Sequence, residues 1–342
     1  MSIPDPSRPR LAWLRTLFDG FTLALVGAVV LAALLPSRGA MASALDVLSI
    51  AGIALLFFLH GARLSREAIL AGMANWKLHL VVLATTFLMF PLLGLGLRPL
   101  LAPWLAAPLV LGFLYLCVLP STVQSSIAFT SIARGNVPAA VCSASASNLI
   151  GVFATPLLLA AMVAGGGEGG SPLDAIGSIV LELLLPFVAG HLLRPWIGDL
   201  VARWHRLLAF TDRGTILLVV YVAFSESVVD GLWEGLPLGI IAATTLVSAV
   251  LLAVVLLATT GIARAMGFAR ADEVVIVFCG SKKSLATGVP MAKILFAGHP
   301  ALGLIVLPLM IFHQLQLMVC AVLAQRYTRS AEALERQARG GE

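Results

Sequence analysis

The sequence predicts an all-α polytopic membrane protein of about ten transmembrane helices, and three observations carry that prediction. Hydrophobic residues make up 60% of the chain and charged residues only 11%, whereas a soluble domain carries roughly a quarter of its residues charged. The apolar residues fall into long runs, each near the ~20 residues that cross a bilayer core as a helix. Those runs lack the alternation at period two that a transmembrane β-strand needs.

Apolar runs between turn and charge clusters set ten spans, near residues 18–36, 44–61, 78–98, 108–133, 137–164, 173–194, 213–229, 237–263, 273–297 and 301–325. The runs at 137–164 and 237–263 are long for one crossing and should tilt. Arg63–Trp76 and Trp196–Phe210 mix charge with apolar residues, which suits helices lying along the interface. Arg8, Arg10 and Arg15 at one end and Arg326, Arg329, Arg336 and Arg339 at the other predict that both termini are cytoplasmic. The net charge of +5 follows this orientation rule, so no nucleic-acid partner is expected. Cys117, Cys142, Cys279 and Cys320 all lie inside apolar runs and read as buried free thiols, not as a disulfide framework or zinc site. No H-E-x-x-H, G-x-S-x-G or P-loop occurs. An enzyme is therefore not expected, and neither a cofactor nor a metal site is implied.

The glycine-rich stretch 165–172 divides the chain into 1–164, with five spans, and 173–342, with five more and a C-terminal tail. An odd number of spans per half turns the second half upside down relative to the first, the inverted repeat common among transporters. A weak echo supports it. The fourth span carries Pro120-Ser121-Thr122-Val123-Gln124-Ser125-Ser126, and the ninth carries Gly280-Ser281-Lys282-Lys283-Ser284 with Thr287, Gly288 and Pro290 following. Two polar, broken spans at corresponding positions point to a transport site.

Pro120 removes a backbone N–H and clashes with the preceding turn, so the fourth span should break there. Freed backbone groups cannot face lipid, where each costs several kcal/mol, so they line a cavity or meet another helix. Ser121, Thr122, Gln124, Ser125 and Ser126 in the fourth span, with Ser281, Lys282, Lys283, Ser284 and Thr287 in the ninth, are the candidate solute- or ion-binding residues. For any single serine the plainer reading is back-bonding to its own helix. A lysine at a helix centre costs roughly 2.5–3.5 kcal/mol to insert, so Lys282 and Lys283 need a reason. They can serve as counter-charge to an anionic substrate, tethered cation in place of a metal ion, or proton carrier. The plainer alternative is a structural partner of Glu226 or of a backbone carbonyl. In the fifth span Ser145 and Asn148 share a helix face, and Asn148 reads as a cavity ligand or as helix–helix glue. Glu226, at moderate depth in the seventh span, suits a cation or the interface. His313 and Gln314, mid-span in the tenth, are further candidates.

Ala133-Arg134-Gly135-Asn136-Val137, placed after a polar broken span and before a serine-rich span with Thr155-Pro156-Leu157, resembles the bile acid:sodium symporter superfamily. The strings Leu119 to Ser126 and Cys279 to Gly288 are similar to its SBF-like branch, which includes bacterial homologues of the solute carrier family 10 member 7 type. The resemblance covers essentially the whole chain. It implies ten helices in two inverted five-helix repeats, a panel domain and a core domain, with the fourth and ninth helices crossing. Matched through Arg134-Gly135-Asn136, Ser126 meets the family serine, but Ile127 stands where sodium-coupled members have asparagine. Ala140 and Ala144 stand near two hydroxyl ligands, Val277 near the glutamate, and Ser281 and Lys282 near the amide pair.

The reading is a multi-pass secondary transporter of the bacterial inner membrane, with the lipid bilayer and a small solute, an organic anion, as its partners. Sodium or a proton remains open as coupling ion. The rival is a non-transporting membrane regulator, for example of calcium entry. A water-accessible cavity reaching Gln124 and Lys282 favours transport, and a dry, packed crossing favours the regulator.

Overall fold

A bilayer core offers no hydrogen bonds to the backbone, so a chain this apolar satisfies its amides within helices. The computed structural model describes residues 20–63, 75–164, 185–231 and 238–340, and every element among them is a helix. In chain order these are α1 (Gly20–Leu34), α2 (Gly39–Arg63), α3 (Trp76–Leu101, with a π turn at Thr85–Met89), α4 (Ala107–Val118), α5 (Gln124–Ile132), α6 (Val137–Ala164), α7 (Leu185–Arg203), α8 (His205–Val229), α9 (Leu238–Ala265), α10 (Arg270–Gly280), α11 (Leu285–Leu295) and α12 (Leu302–Gly340). Among the described residues, six helical stretches are long and apolar enough to cross a membrane: α2, α3, α6, α9, α10 continued into α11, and α12. The linker 165–172 and most of the sixth predicted span lie outside the described residues.

The helices pack in two groups. α1, α2, α7 and α8 pack on one another, and α3 to α6 pack with α9 to α12. We refer to the first group as the panel and to the second as the core. Within the panel, α2 and α7 approach closely because a glycine on each helix faces the backbone of the other. A Cβ on Gly190 would sit 1.9 Å from the Phe58 carbonyl oxygen, and one on Gly61 would sit 2.0 Å from that of Phe187. Small residues replace the hydrophobic drive that helix pairs lack in lipid. Panel and core meet where α8 packs on α11 and α12.

The pair α10–α11 is the centre of the core: its most apolar window is 94% buried, against 28–50% for the other five membrane-length stretches. Exposed Leu80, Leu88, Leu246 and Leu257 lie on the outer helices α3 and α9, where lipid is the solvent.

One expectation needs correction. Trp196–Phe210 forms no separate interfacial helix. α7 continues through it to Arg203 and α8 begins at His205, because Pro195 lies inside α7 without ending it. The helix that carries the tenth span continues past 325, as α12, to Gly340. The other proposed interfacial segment lies almost wholly outside the described residues.

Candidate functional site

Both predicted breaks are present. α4 stops at Val118 and α5 starts at Gln124; α10 stops at Gly280 and α11 starts at Leu285. The two breaks lie against each other: the Ser284 amide donates to the Pro120 carbonyl (2.9 Å). The Ser121 hydroxyl donates to the Cys279 carbonyl (2.6 Å) and the Ser126 hydroxyl to that of Phe278 (3.0 Å).

Breaking a helix orphans its last carbonyls, and those of residues 117–121 each have a donor. Carbonyls 117 and 119 accept from Lys283 Nζ at 3.0 and 2.6 Å. Carbonyl 118 accepts from the Thr155 hydroxyl (2.8 Å), 120 from the Ser284 amide, and 121 from Asn148 Nδ2 (2.7 Å). On the other break, Gln316 donates to the Lys283 carbonyl (2.9 Å) and accepts from the Lys283 amide (2.8 Å).

The third ligand of Lys283 follows from a local fault in α3. The π turn sends the Phe90 amide to the Thr85 carbonyl. The next residue, Pro91, has no N–H to give, so the Thr86 carbonyl is left free of its helix. Lys283 Nζ takes it at 3.0 Å. Three carbonyls thus match the three donors of one ammonium, which also lies 4.0 Å from the Phe90 ring centroid. Lys282 Nζ donates to the Ser125 carbonyl (2.9 Å) and lies 4.0 and 5.3 Å from the Phe129 and Phe278 centroids. Such cation–π contacts strengthen when desolvated, and both lysines are fully buried.

In front of this crossing lies a cavity of about 400 Å³ between panel and core. The panel contributes Phe21, Leu56, Phe57, His60, Arg63, Phe187, Asp212, Arg213 and Ile216. The core contributes Thr122, Gln124, Ser125, Ser145, Asn148, Ser284, Thr287, His313 and Gln314, with apolar neighbours. Thr287 donates to Asn148 Oδ1 (2.8 Å), so Asn148 ties the two breaks together on the cavity wall. At the panel side, Arg63 pairs with Asp212 at 2.6 Å, and Arg213 lies 5.7 Å from the Phe21 ring centroid.

Eight of the sequence-derived candidates therefore line the cavity: Thr122, Gln124, Ser125, Asn148, Ser284, Thr287, His313 and Gln314. Ser121, Ser126, Ser281, Lys282 and Lys283 are buried behind it, holding carbonyls. The cavity reaches Gln124 and stops one residue short of Lys282, at Ser125. Glu226 is no partner of these lysines; it pairs with Lys293 at 2.9 Å, as does Asp46 at 3.0 Å. Sequence reasoning overlooked Thr86, Gln316 and the panel's Arg63, Asp212 and Arg213. Only Pro91, adjacent to the π turn, carried a local signal.

A multi-pass helical protein with two broken helices meeting beside a polar cavity belongs structurally with membrane transporters. Residues 19–329 match the SBF-like CPA transporter family, and the chain belongs to it. Among its relatives, "Uncharacterized protein PA2026" of Pseudomonas aeruginosa is 59% identical over 323 residues, 94% of this chain and 95% of that one. "Putative symporter YfeH" of Escherichia coli (strain K12) is 55% identical over 325 residues, 94% and 96% of the two chains. "Sodium/bile acid cotransporter 7" of Rattus norvegicus is 29% identical over 311 residues, 89% and 91% of the two.

Proposed function

We propose that this chain is a secondary transporter that moves a small organic anion by alternating access of the cavity between panel and core. The observation that carries the reading is that cavity: about 400 Å³, lined by polar groups from both breaks and walled by a separately packed panel. Thr122, Gln124, Ser125, Asn148, Ser284 and Thr287 are the solute's polar contacts, with His313 and Gln314 beside them. With Arg63 paired to Asp212, Arg213 leaves the panel side of the cavity net positive, which attracts an anion. Lys282 and Lys283 add positive field from behind the wall, because their described partners are carbonyls and aromatic rings, not carboxylates. In a low-dielectric interior that field is poorly screened.

Ten spans in two inverted repeats are part of this reading. α2, α3, α4 and α6 begin about 165 residues before α8, α9, α10 and α12, and each half carries one break, between α4 and α5 and between α10 and α11. The halves divide at 165–172, and basic termini place both ends in the cytoplasm of a bacterium, with the protein in its inner membrane.

The rat relative's name speaks of sodium and bile acid for that protein. Here the Lys283 ammonium occupies a carbonyl cradle of the kind that binds a bare cation, and it repels another. Transport therefore runs without sodium at the crossing, coupled to protons or uncoupled. The test is uptake of a panel of labelled organic anions by proteoliposomes with sodium replaced by choline, for wild type, Lys282→Ala and Lys283→Ala. Uptake that persists in choline is expected. Strict sodium dependence left intact by both substitutions would overturn the reading of the coupling, and absence of uptake for every anion would overturn that of the solute.

A further inference from the structure

We infer that Lys293, Asp46 and Glu226 form an ionic clasp that closes the cavity on the side away from Arg63 and Asp212, and that this clasp parts when the cavity opens to that side. The inference rests on the alternating-access reading above. Lys293 Nζ lies 2.9 and 3.2 Å from the two Glu226 carboxylate oxygens and 3.0 Å from Asp46 Oδ1. Lys293 belongs to the core's α11, Asp46 to the panel's α2 and Glu226 to the panel's α8, so the cluster joins the two groups that must move relative to each other.

Its position along the helices is informative. Ser284 and Thr287 at the start of α11 line the cavity, and Lys293 is in that helix's last turn. At 1.5 Å per residue, Lys293 is roughly 13 Å farther along α11 than Ser284. Asp46 and Arg63 stand roughly 25 Å apart along α2, and Glu226 and Asp212 roughly 21 Å apart along α8. Arg63 and Asp212 line the cavity, while Asp46 and Glu226 are not among its walls. The clasp is therefore at the far end of the same panel helices.

Around it the junction is sealed. The Gly303 amide donates to Ser227 Oγ at 3.0 Å, and a Cβ on Gly303 would lie 2.7 Å from that oxygen. Ser225, Ser227, Ala301 and Leu302 are buried. The two carboxylates are 38–39% exposed at their side chains, whereas the lysine is 9% exposed. When the groups part, the exposed Glu226 carboxylate regains solvent, so its separation from Lys293 costs little. A static strut has no need of that; a gate does.

The test reads accessibility and needs no solute. Ser145→Cys places a thiol on the cavity wall, in a chain whose four native cysteines are buried. Vesicles of both orientations are treated with a membrane-impermeant maleimide. With the clasp intact, labelling comes from one face only. Lys293→Gln should raise labelling from the other face about fivefold, the population shift a partly exposed ion pair gives. The exchanged pair Lys293→Glu with Glu226→Lys should return labelling to one face. Labelling unchanged by Lys293→Gln, or raised equally in the exchanged pair, overturns the clasp; labelling from the first face at the wild-type level reports intact folding. A labelling shift without uptake of any anion would instead count against the transport reading alone.

Discussion

The side-chain amide of Gln316 pairs with both backbone groups of Lys283, accepting from its N–H at 2.8 Å and donating to its C=O at 2.9 Å. A glutamine of α12 thereby does for the broken ninth span what a neighbouring strand does in a sheet. Its own Nε2 also lies 2.8 Å from His313 Nδ1, which ties the cavity residue His313 to the break.

Gln316→Leu leaves the Lys283 amide without its acceptor and the Lys283 carbonyl with His313 Nδ1 alone, at 3.4 Å, in a fully buried place. A stranded group costs about 1–3 kcal/mol. The variant should unfold in detergent several degrees below wild type. A melting temperature equal to that of wild type would remove Gln316 from its bracing role.

The fault lines of this fold were legible because they are chemical. Pro120 cannot continue a helix, and a run of serine, lysine and glycine in an apolar span cannot face lipid. The partners were not. Gln314 and Gln316 are two apart in one span, and only the packed fold shows that one lines the cavity while the other braces the backbone. Lys282 and Lys283 would diverge by about 100° on a regular helix. The break removes that constraint, with Ser284 extended at φ −82° and ψ 111°, so both lysines find carbonyls. The Arg63–Asp212 and Asp46–Lys293 pairs join residues far apart in the chain, with no local pattern to announce them.

Lys283→Ala should destabilise the fold more than Lys282→Ala. The first strands three carbonyls, the second one carbonyl and two ring faces. The vacated cradle should accept a small cation, so ammonium or methylammonium should raise the melting temperature of Lys283→Ala relative to choline at equal ionic strength, by mass action on the folded state. A variant as stable as wild type, or one indifferent to ammonium, would refute the cradle.

Gly190→Ala tests the panel alone. Its Cβ would sit 1.9 Å from the Phe58 carbonyl oxygen, a backbone atom that cannot swing aside. Overpacking of this kind costs about 1–3 kcal/mol, and the helices α2 and α7 must separate. Lower thermal stability is expected, whereas Gly96→Ala, with open space at its Cβ, should match wild type. Comparable stability of both would contradict the close approach.

Asn148→Asp asks what charge the solute carries. Asn148 donates to the carbonyls of Ser121 (2.7 Å) and Ala144 (3.1 Å) and accepts from Thr287. Aspartate keeps the acceptor, loses both donors and places a negative charge on the cavity wall. Across about 4–8 Å, at an effective dielectric near 20, that charge shifts the binding of a charged solute by about 2–4 kcal/mol, roughly thirtyfold or more in affinity. For an anion, KM should rise by that factor, while Asn148→Ala, which loses the same two donations and the Thr287 bond as well but adds no charge, raises it less. A KM that falls in Asn148→Asp and not in Asn148→Ala would mean a cationic solute. The difference between the two variants carries the sign, because the loss of the Ser121 and Ala144 bonds is common to both and cancels in the comparison.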